Sequence, residues 1–114
     1  MQIQTITEGK SLIAQISGEI DHHSAEEIRK KIDRDYHMTK AIDIILDFKN
    51  VNFMDSSGVG MIMGRYKNLE PYGKVKICGL NEGIKRIFDI SGLGRIITEY
   101  ETLNDALGGK YELR

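Results

Sequence analysis

The chain contains one cysteine, one proline and no tryptophan among its 114 residues. A lone cysteine cannot form an internal disulfide bond, and Cys78 lies in an apolar run, so we expect a buried thiol in a reducing cytoplasm. No linker, repeat or low-complexity segment interrupts the sequence. A chain of this length is close to the common domain size, and we therefore expect a single domain over residues 1–114.

The sequence also lacks long apolar runs and an excess of charge of either sign. Its apolar runs reach about five residues, far fewer than the roughly 18 that a membrane-spanning helix requires. The 16 lysine and arginine residues nearly balance the 17 acidic residues, so no bulk basic field points to nucleic acid or acidic lipid. No secretion signal, coiled-coil pattern or wide apolar strip is present. We expect a cytoplasmic monomer that binds neither nucleic acid nor membranes.

The order of hydrophobic patterns predicts alternating strands and helices. Two strands joined at Glu8-Gly9-Lys10 open the chain as a hairpin, and Ser24 is the predicted N-cap of the first helix. The single proline, Pro71, predicts the end of the second helix. The predicted strands cover residues 3–7, 12–17, 42–48, 74–78 and 95–98, and the predicted helices cover residues 25–36, 59–70, 82–90 and 103–107.

Strand–helix–strand units favour an α/β fold with a mixed, mostly parallel sheet of about five strands, an N-terminal hairpin and about four helices. In such a sheet, the loops that follow the carboxyl ends of parallel strands gather at one pole and bind ligands there. If the second and third strands are parallel, Asp21 should lie close to Asp55 and Ser56, although they are far apart in the sequence.

The most informative segment is Phe53-Met54-Asp55-Ser56-Ser57-Gly58-Val59-Gly60, which joins the third strand to the second helix. The N–H groups and the dipole of a helix N-terminus favour negative charge, so a serine at this place is suited to carry a phosphate. Ser57 is the predicted cap of the helix. Asp55 either has a functional role beside Ser56 or bonds backbone N–H groups in an Asx turn, and both roles are open.

The second predicted helix has two contrasting faces. The face expected to contact the sheet comprises Val59, Ile62, Met63, Tyr66 and Leu69, and the other comprises Gly60, Met61, Gly64, Arg65 and Asn68. Glycines inside a helix cost about 1 kcal/mol each relative to alanine, so they indicate close approach by a neighbouring element or by a partner. In the second case Gly58 and Gly60 let the partner come close, Met61 provides an adaptable apolar contact and Arg65 provides a charged anchor.

Catalytic and ligand-binding alternatives have little support in the sequence. A serine hydrolase needs a base and an orienting acid, but the serine has no G-x-S-x-G frame and only His22, His23 and His37 could act as the base. Adjacent side chains in Asp21-His22-His23 point apart, which disfavours a metal site. The glycine spacing departs from the dinucleotide fingerprint, and no P-loop lysine is present. We expect no catalytic residue, metal or cofactor.

The segment around Ser56 closely resembles the phosphorylation segment of the anti-sigma factor antagonists, which are bacterial members of the STAS domain family. Residues 18–26 (GEIDHHSAE) and residues 85–93 (KRIFDISGL) resemble two further signatures of the sporulation branch, the anti-sigma-F factor antagonists. The resemblance covers nearly the whole chain and implies a single STAS-like α/β domain.

The resemblance implies a regulatory protein without enzymatic activity. It places the phosphoacceptor at Ser56, and Asp21, Asp55, Ser57 and Gly58 at or beside the partner surface. In this family the unphosphorylated form binds an anti-sigma factor, which is also a serine kinase, and frees the sigma factor for transcription. Phosphorylation releases the antagonist, and a serine phosphatase resets the cycle. The ATP or ADP belongs to the partner kinase, so no cofactor is implied for this chain.

The resemblance leaves one alternative within the same family. The chain could be a STAS module of a different regulatory assembly, such as a stress-response sigma pathway or a stressosome-like scaffold. Both interpretations require the serine loop to be a protein-binding surface rather than an active site.

Overall fold

The computed structural model describes residues 1–109 and has a five-stranded sheet at its centre. The strands follow one another across the sheet in chain order, as β1 (Gln2–Glu8), β2 (Ser11–Ile20), β3 (Asp43–Met54), β4 (Val75–Cys78) and β5 (Thr98–Tyr100). The first two strands form an antiparallel hairpin, and β2 to β5 are parallel. The predicted mixed, mostly parallel α/β fold is therefore confirmed. The last five residues of the predicted domain, 110–114, lie outside the described residues.

Four helices cover the sheet unequally. They are α1 (His22–His37), α2 (Ser56–Leu69), α3 (Glu82–Ile90) and the short α4 (Leu103–Ala106). The main core lies between one sheet face and the first three helices, and it includes Leu46, Phe48, Ile28, Ile62 and Phe88. None of the helices within residues 1–109 has the length and apolar character needed to cross a membrane.

The other face of the sheet carries a much smaller apolar cluster beneath α4. Ile13, Ile45, Cys78 and Ala106 form it. The thiol of Cys78 is buried there, as predicted, and this burial, with a smaller contribution from the carboxylate of Asp47, raises the pKa of the thiol to about 12. Much of this face is polar, as is usual where a sheet with an antiparallel edge faces water.

Several predicted boundaries were wrong. β2 and β3 continue to Ile20 and Met54 because two irregularities in their register interrupt the alternation of side chains while backbone pairing continues. The last strand is Thr98–Tyr100 rather than residues 95–98. A 3₁₀ turn at Leu93–Arg95 precedes it and begins after Gly92, whose φ of 83° is left-handed.

Candidate functional site

The carboxyl ends of β2 and β3 bring the two predicted site segments together. Ile20 pairs with Met54 in the parallel ladder, and the N–H of Asp55 donates a hydrogen bond of 3.1 Å to the carbonyl of Ile20. Asp21 and Asp55 are the next residues of the two strands, and each caps the helix that follows it. The predicted proximity of Asp21 to the serine loop is confirmed.

Asp21, not Ser24, is the N-cap of α1. Its carboxylate accepts a hydrogen bond of 2.9 Å from the N–H of Ser24, and the Ser24 hydroxyl accepts one of 2.9 Å from the N–H of Asp21. This reciprocal capping box keeps the carboxylate ionised, and the hydrogen bonds from Ser24 hold the pKa of exposed Asp21 below its ordinary value. Asp21 and Ser24 have the spacing of a capping box, but the usual residues are serine or threonine at the N-cap and glutamate or glutamine three positions later.

Asp55 caps α2 with its carboxylate but without a reciprocal bond, and the prediction that Ser57 is the cap was wrong. Oδ1 of Asp55 accepts a hydrogen bond of 2.8 Å from the N–H of Ser57. The Asx-turn role considered for Asp55 is therefore the role that the geometry shows. Because the cap lies one residue before Ser56, the helix begins at Ser56 itself.

Ser56 is the first residue of α2, and its side chain faces solvent. Within residues 1–109 its hydroxyl makes no hydrogen bond. No histidine of the described residues is hydrogen-bonded to it, and His22, His23 and His37 are all exposed. The described residues also contain no cluster of side chains arranged to hold a metal ion. A serine nucleophile needs a base beside it, whereas a helix N-terminus favours an added negative charge. This free hydroxyl is therefore better suited to be modified than to act as a nucleophile.

Gly58 lies behind the serine loop and not on its surface. It is buried, and an added Cβ would lie 2.3 Å from Cγ of Met54 and 3.1 Å from Cγ2 of Ile20. Any larger residue would force the buried side chain of Met54 to move, so glycine lets α2 pack closely against the strand ends. The prediction that Gly58 permits close approach is right for the strands of its own domain, whereas its contact with a partner stays a prediction.

Gly60 and Gly64 behave differently from Gly58. A Cβ added at either position would meet no heavy atom within 4 Å, apart from its chain neighbours and the backbone of α2 itself. Packing inside the domain therefore does not explain why these two residues are glycine. Ser56, Gly60 and Gly64 are each four positions apart, so they lie along one side of α2. We call this side the glycine face; it is a smooth strip of backbone that starts at the free hydroxyl.

Met61 and Arg65 do not belong to the glycine face, and the prediction that they are exposed docking residues was wrong. Each is only 5% exposed. A helix turns by about 100° per residue, which carries these two side chains from the glycine face to the seam between α2 and α1. The face expected to contact the sheet is largely confirmed: Ile62 and Leu69 are buried, and Val59, Met63 and Tyr66 pack against the core.

The guanidinium of Arg65 is enclosed between the two helices. Its Nε lies 3.1 Å from Oδ1 of Asp33 on α1, but Nε and Nη1 form no aligned hydrogen bond within the described residues. Burial lowers the pKa of Arg65, and the nearby carboxylate of Asp33 partly opposes this effect. Asp33 also lies 3.6 Å from Nη1 of Arg29. Arg65 therefore connects α2 to α1.

Phe53 is a surface residue that the sequence analysis did not select. Its ring is 47% exposed, although the neighbouring Met54 is fully buried in the main core. Successive strand residues point to opposite faces, so Phe53 points away from the helical layer, beside Glu19, with which it pairs. In a regular strand the buried Met54 would predict an exposed Phe53. The bulge before Phe53 breaks the alternation of buried and exposed residues, so the sequence did not indicate it.

Comparison with known proteins defines the class to which this fold and site belong. The STAS domain family matches residues 2–106, and the chain belongs to this family. An anti-sigma F factor antagonist of Paenibacillus polymyxa is 39% identical over 97 residues, which are 84% of this chain and 83% of that protein. An anti-sigma-B factor antagonist of Bacillus subtilis is 37% identical over 83 residues, or 72% and 74% of the two chains.

Solved structures of one relative, SpoIIAA, have the same fold. The unphosphorylated form of this anti-sigma factor antagonist is 30% identical, superposes with a TM-score of 0.79, and covers 93% of both chains. Its phosphorylated form, described as a Bacillus cell fate determinant, is 30% identical with a TM-score of 0.73 and covers 99% of this chain and 100% of that one. SpoIIAA is therefore a relative that exists in both states.

Proposed function

We propose that this chain is an anti-sigma factor antagonist whose unphosphorylated form binds an anti-sigma factor and is released when Ser56 is phosphorylated. One observation carries the proposal: the free Ser56 hydroxyl begins the glycine face of α2, directly after Asp55 and at the same end of the sheet as Asp21. A partner backbone that lies along Gly60 and Gly64 also covers Ser56. The similarity to anti-sigma F factor antagonists supports the class of partner.

The physical effect of the phosphate follows from its charge and size. Phosphorylation adds about −1.5 to −2 charges and three acceptor oxygens. The carboxylates of Asp55 and Asp21 belong to the same end of the sheet as Ser56 and add to the negative field, since the N–H of Asp55 is hydrogen-bonded to the carbonyl of Ile20 at the end of β2. A partner that fits the bare hydroxyl would have to bury this group. A thousandfold loss of affinity needs only about 4 kcal/mol, which one buried charge without a matched cation can supply.

The helix N-terminus accepts the phosphate without refolding. The dipole of α2 favours negative charge at its first residue, and the N–H groups of Ser57 and Gly58 already donate to Asp55, so the cap can stay in place. We expect the two forms to share one backbone apart from small shifts in the serine loop. Superposed structures of both forms would contradict this if α2 had moved as a body.

The remaining parts of the cycle belong to partners. The kinase is the anti-sigma factor, it supplies the ATP, and a serine phosphatase restores the free hydroxyl. This chain binds no nucleotide of its own, carries no catalytic residue and acts as a cytoplasmic regulator. Asp21, Asp55, Ser57 and the glycine face form the proposed partner surface, without Met61 and Arg65.

Intact-mass analysis after incubation with a sporulation-type anti-sigma kinase and ATP tests the proposal. We expect one added phosphate on the wild-type chain and on Ser57→Ala, and none on Ser56→Ala. Ser56→Ala should still bind the kinase, because it keeps the uncharged surface. A phosphate retained in Ser56→Ala would contradict the assignment of the acceptor.

A second candidate is an antagonist or module of a stress-response pathway. The similarity to anti-sigma-B factor antagonists favours it, at 37% identity for the Bacillus subtilis protein. The same mass analysis with kinases of both classes separates the two candidates. Phosphorylation by a sigma-B-type kinase alone would assign the chain to the stress-response class.

A further inference from the structure

β1 is an edge strand that lacks the usual protections of an edge. Within residues 1–109 it is paired on one side only, by β2. It is seven residues long, its register with β2 contains no bulge, and it contains neither lysine nor proline. Natural proteins commonly blunt an exposed edge with one of these devices or with a very short strand. The opposite edge of the sheet is blunted in the second way, since β5 has three residues.

The hairpin turn determines which backbone groups of β1 are free. Gly9 has a φ of 58° and begins a two-residue turn between Glu8 and Ser11, which are paired. The two residues that flank such a turn exchange both hydrogen bonds, and every second pair of the hairpin does the same. The N–H and carbonyl groups of Thr5 and Thr7 therefore point away from β2, toward the open edge. Within residues 1–109 no backbone bond from outside the hairpin reaches them.

Ile6 is the exposed end of an apolar row on the open face of the sheet. It pairs with Ile13, which pairs with Ile45, and the latter two residues are buried in the cluster beneath α4. Ile6 itself is 49% exposed, because α4 packs mainly against β3, β4 and β5. The row therefore ends at the edge strand in an isoleucine that meets water.

We propose that β1 is the interface of a symmetric dimer, in which the β1 strands of two copies of this chain pair antiparallel and join the two five-stranded sheets. The assigned register places Ile6 opposite Ile6 of the second copy. Thr5 then lies opposite Thr7 of the second copy, and their outward N–H and carbonyl groups exchange hydrogen bonds. The apolar row continues across the interface, because opposite side chains on one face of paired strands contact each other.

Two features of β1 favour a second copy over an unrelated strand. In the assigned register threonine meets threonine and Ile6 meets its own equivalent, so one sequence satisfies both sides of the contact. Antiparallel pairing about a two-fold axis also uses both β1 edges. Only the short β5 strands then remain at the ends of the joined sheet, so assembly stops at two copies.

The charges on and beside β1 do not oppose this register. Glu8 is the one charged residue of the strand, and it lies opposite the uncharged Gln4 of the second copy. The two Glu8 carboxylates are four residues apart along the strands, or about 13 Å, which exceeds the screening length of about 8 Å at physiological salt. Lys10, in the turn, lies beside the uncharged Gln2 of the second copy.

On the helical side of β1 the nearest carboxylate is balanced within its own copy. Asp35 of α1 accepts a hydrogen bond of 2.6 Å from Oγ1 of Thr5. The same carboxylate lies 3.0 Å from Nζ of Lys31 and 3.3 Å from Nε of Arg34. The two copies of Asp35 therefore bring no uncompensated negative charge to the interface.

The two serine loops remain free in the dimer. Because the two β1 strands are antiparallel, the β2 and β3 strands of the two copies also run in opposite directions, and the two Ser56 residues lie at opposite ends of the joined sheet. Dimerisation is therefore independent of the state of Ser56 and does not rest on the proposed function. The expectation of a monomer relied on the absence of a coiled coil and a wide apolar strip, and strand pairing requires neither.

Sedimentation velocity of the full chain over a wide range of concentration tests the proposal. About five residues of each copy take part, far fewer than the roughly 20–30 on each side of a standard interface, so we expect a weak dimer with a Kd of about 0.1 mM. The weight-average mass should rise with concentration from that of the monomer toward twice that value. Ser56→Glu should behave as the wild type does.

Two lysine substitutions with the same change of charge test the register. Ile6→Lys places two lysines opposite each other and should weaken dimerisation at least about tenfold. Gln4→Lys, on the same face of the same strand, places a lysine opposite Glu8 of the second copy and should leave dimerisation unchanged or stronger. Equal losses in both variants would overturn the assigned register. Circular dichroism checks that both variants are folded.

Cysteine substitution tests the contact without relying on affinity. Ile6→Cys should form a disulfide-linked dimer under mild oxidation, because opposite residues of a pair without hydrogen bonds have the closest side chains. Gln4→Cys is the control, since its two copies would be four positions apart along the strands. Cys78 is buried and should not react. A monomer at every concentration, together with Ile6→Cys linking no faster than Gln4→Cys, would overturn the dimer and leave the β1 edge to a strand of another protein.

Discussion

Three glycines of α2 have different physical reasons for being glycine, although they occur within seven residues. Gly58 leaves no room for a side chain against Met54 and Ile20, whereas Gly60 and Gly64 have open space around them. A glycine in a helix with open space is a local cost without an internal gain, since alanine would be more favourable. We infer from this cost that Gly60 and Gly64 are glycine because a binding partner needs close access to the helix there.

Alanine substitutions turn this difference into a prediction. Gly60→Ala and Gly64→Ala should each raise the free energy of unfolding by up to about 1 kcal/mol, because nothing opposes the new methyl group. The same methyl group should weaken binding to the anti-sigma factor by about tenfold or more, since overpacking a close contact costs about 1–3 kcal/mol. Urea unfolding and calorimetric titration measure the two effects.

Gly58→Ala provides the contrast for this pair. Because its methyl group would collide with the side chain of Met54, this variant should be less stable than the wild type in the same urea unfolding experiment. Wild-type affinity in both Gly60→Ala and Gly64→Ala would show that no partner touches the glycine face.

The cap at Asp21 predicts a dependence of stability on pH. Hydrogen bonds from Ser24 lower the pKa of Asp21 in the folded state below its ordinary value of 3.8. The contribution of ionised Asp21 to stability is therefore complete above the ordinary pKa. It is lost as the pH falls through the lower pKa of the folded state. Urea unfolding should show wild type more stable than Asp21→Asn near pH 7, with the difference shrinking below about pH 4. A difference that grew in acid would contradict the ionised cap.

At the residue scale the sequence could indicate Ser56 as a free hydroxyl but not the buried positions of Met61 and Arg65. Methionine and arginine occur on both exposed and buried surfaces, and only the presence of α1 beside α2 decides between them. The two predicted N-caps, Ser24 and Ser57, failed for a related reason. In each case an aspartate earlier in the sequence supplies the cap, and local propensity does not distinguish the two residue types.

At the scale of elements, the seam between α1 and α2 combines apolar packing with one buried cation. Ile28 and Ile32 of α1 and Met61 of α2 are buried in the main core. Arg65 enters the same layer and has the carboxylate of Asp33 within 3.1 Å. A buried guanidinium is costly without its carboxylate, so Arg65 stabilises the seam only while Asp33 is beside it. The pair therefore specifies which faces of the two helices meet more than it adds to stability.

Substitutions at Arg65 should separate a structural residue from a binding anchor. Arg65→Ala should lower the free energy of unfolding by about 2–3 kcal/mol, because it removes the buried stem and leaves Asp33 without this partner. Arg65→Met keeps the apolar stem and should lose less. Both should keep wild-type affinity for the anti-sigma factor, measured by titration where they are folded. Lost affinity in a stable Arg65→Met would restore Arg65 as an anchor.

The elements themselves were largely predictable because their periodicity is strong. The α3 bounds at Glu82–Ile90 agree with the predicted helix, and both strands of the hairpin were recognised. The failures lie where periodicity stops, at the bulged ends of β2 and β3 and at the turn before β5. Bulges and 3₁₀ turns depend on pairing with distant strands, so a local pattern does not contain them.

At the scale of the whole molecule, the two faces of the sheet differ in their protection. Within residues 1–109, three helices cover the main core, whereas the cluster that contains Cys78 has only α4 above it. A thiol with a pKa of about 12 is nearly fully protonated near neutral pH. The reactivity of the Cys78 thiol therefore measures how well α4 protects this face of the sheet.

Alkylation of Cys78 should be a probe of unfolding. The native chain should not react with iodoacetamide on the time scale of minutes near pH 8, because the thiol is buried and protonated. The reaction should become complete in urea, and its rate in water should follow the opening of the α4 face. Fast labelling of the native chain, detected by mass, would show that α4 does not protect the cluster.

The register of the parallel pair β2 and β3 has a consequence for the spacing of the partner surface. Ser11 pairs with Asp43, but Ile20 pairs with Met54, so β3 contains two more residues than β2 over the same length. If β3 kept all its residues but paired without bulges, Asp21 would align with Phe53, and Asp55 would extend beyond it by two residues, or about 7 Å. The strand interior therefore sets the distance between the two carboxylates. An insertion or deletion there would change the shape presented to an anti-sigma factor without altering any residue that it touches.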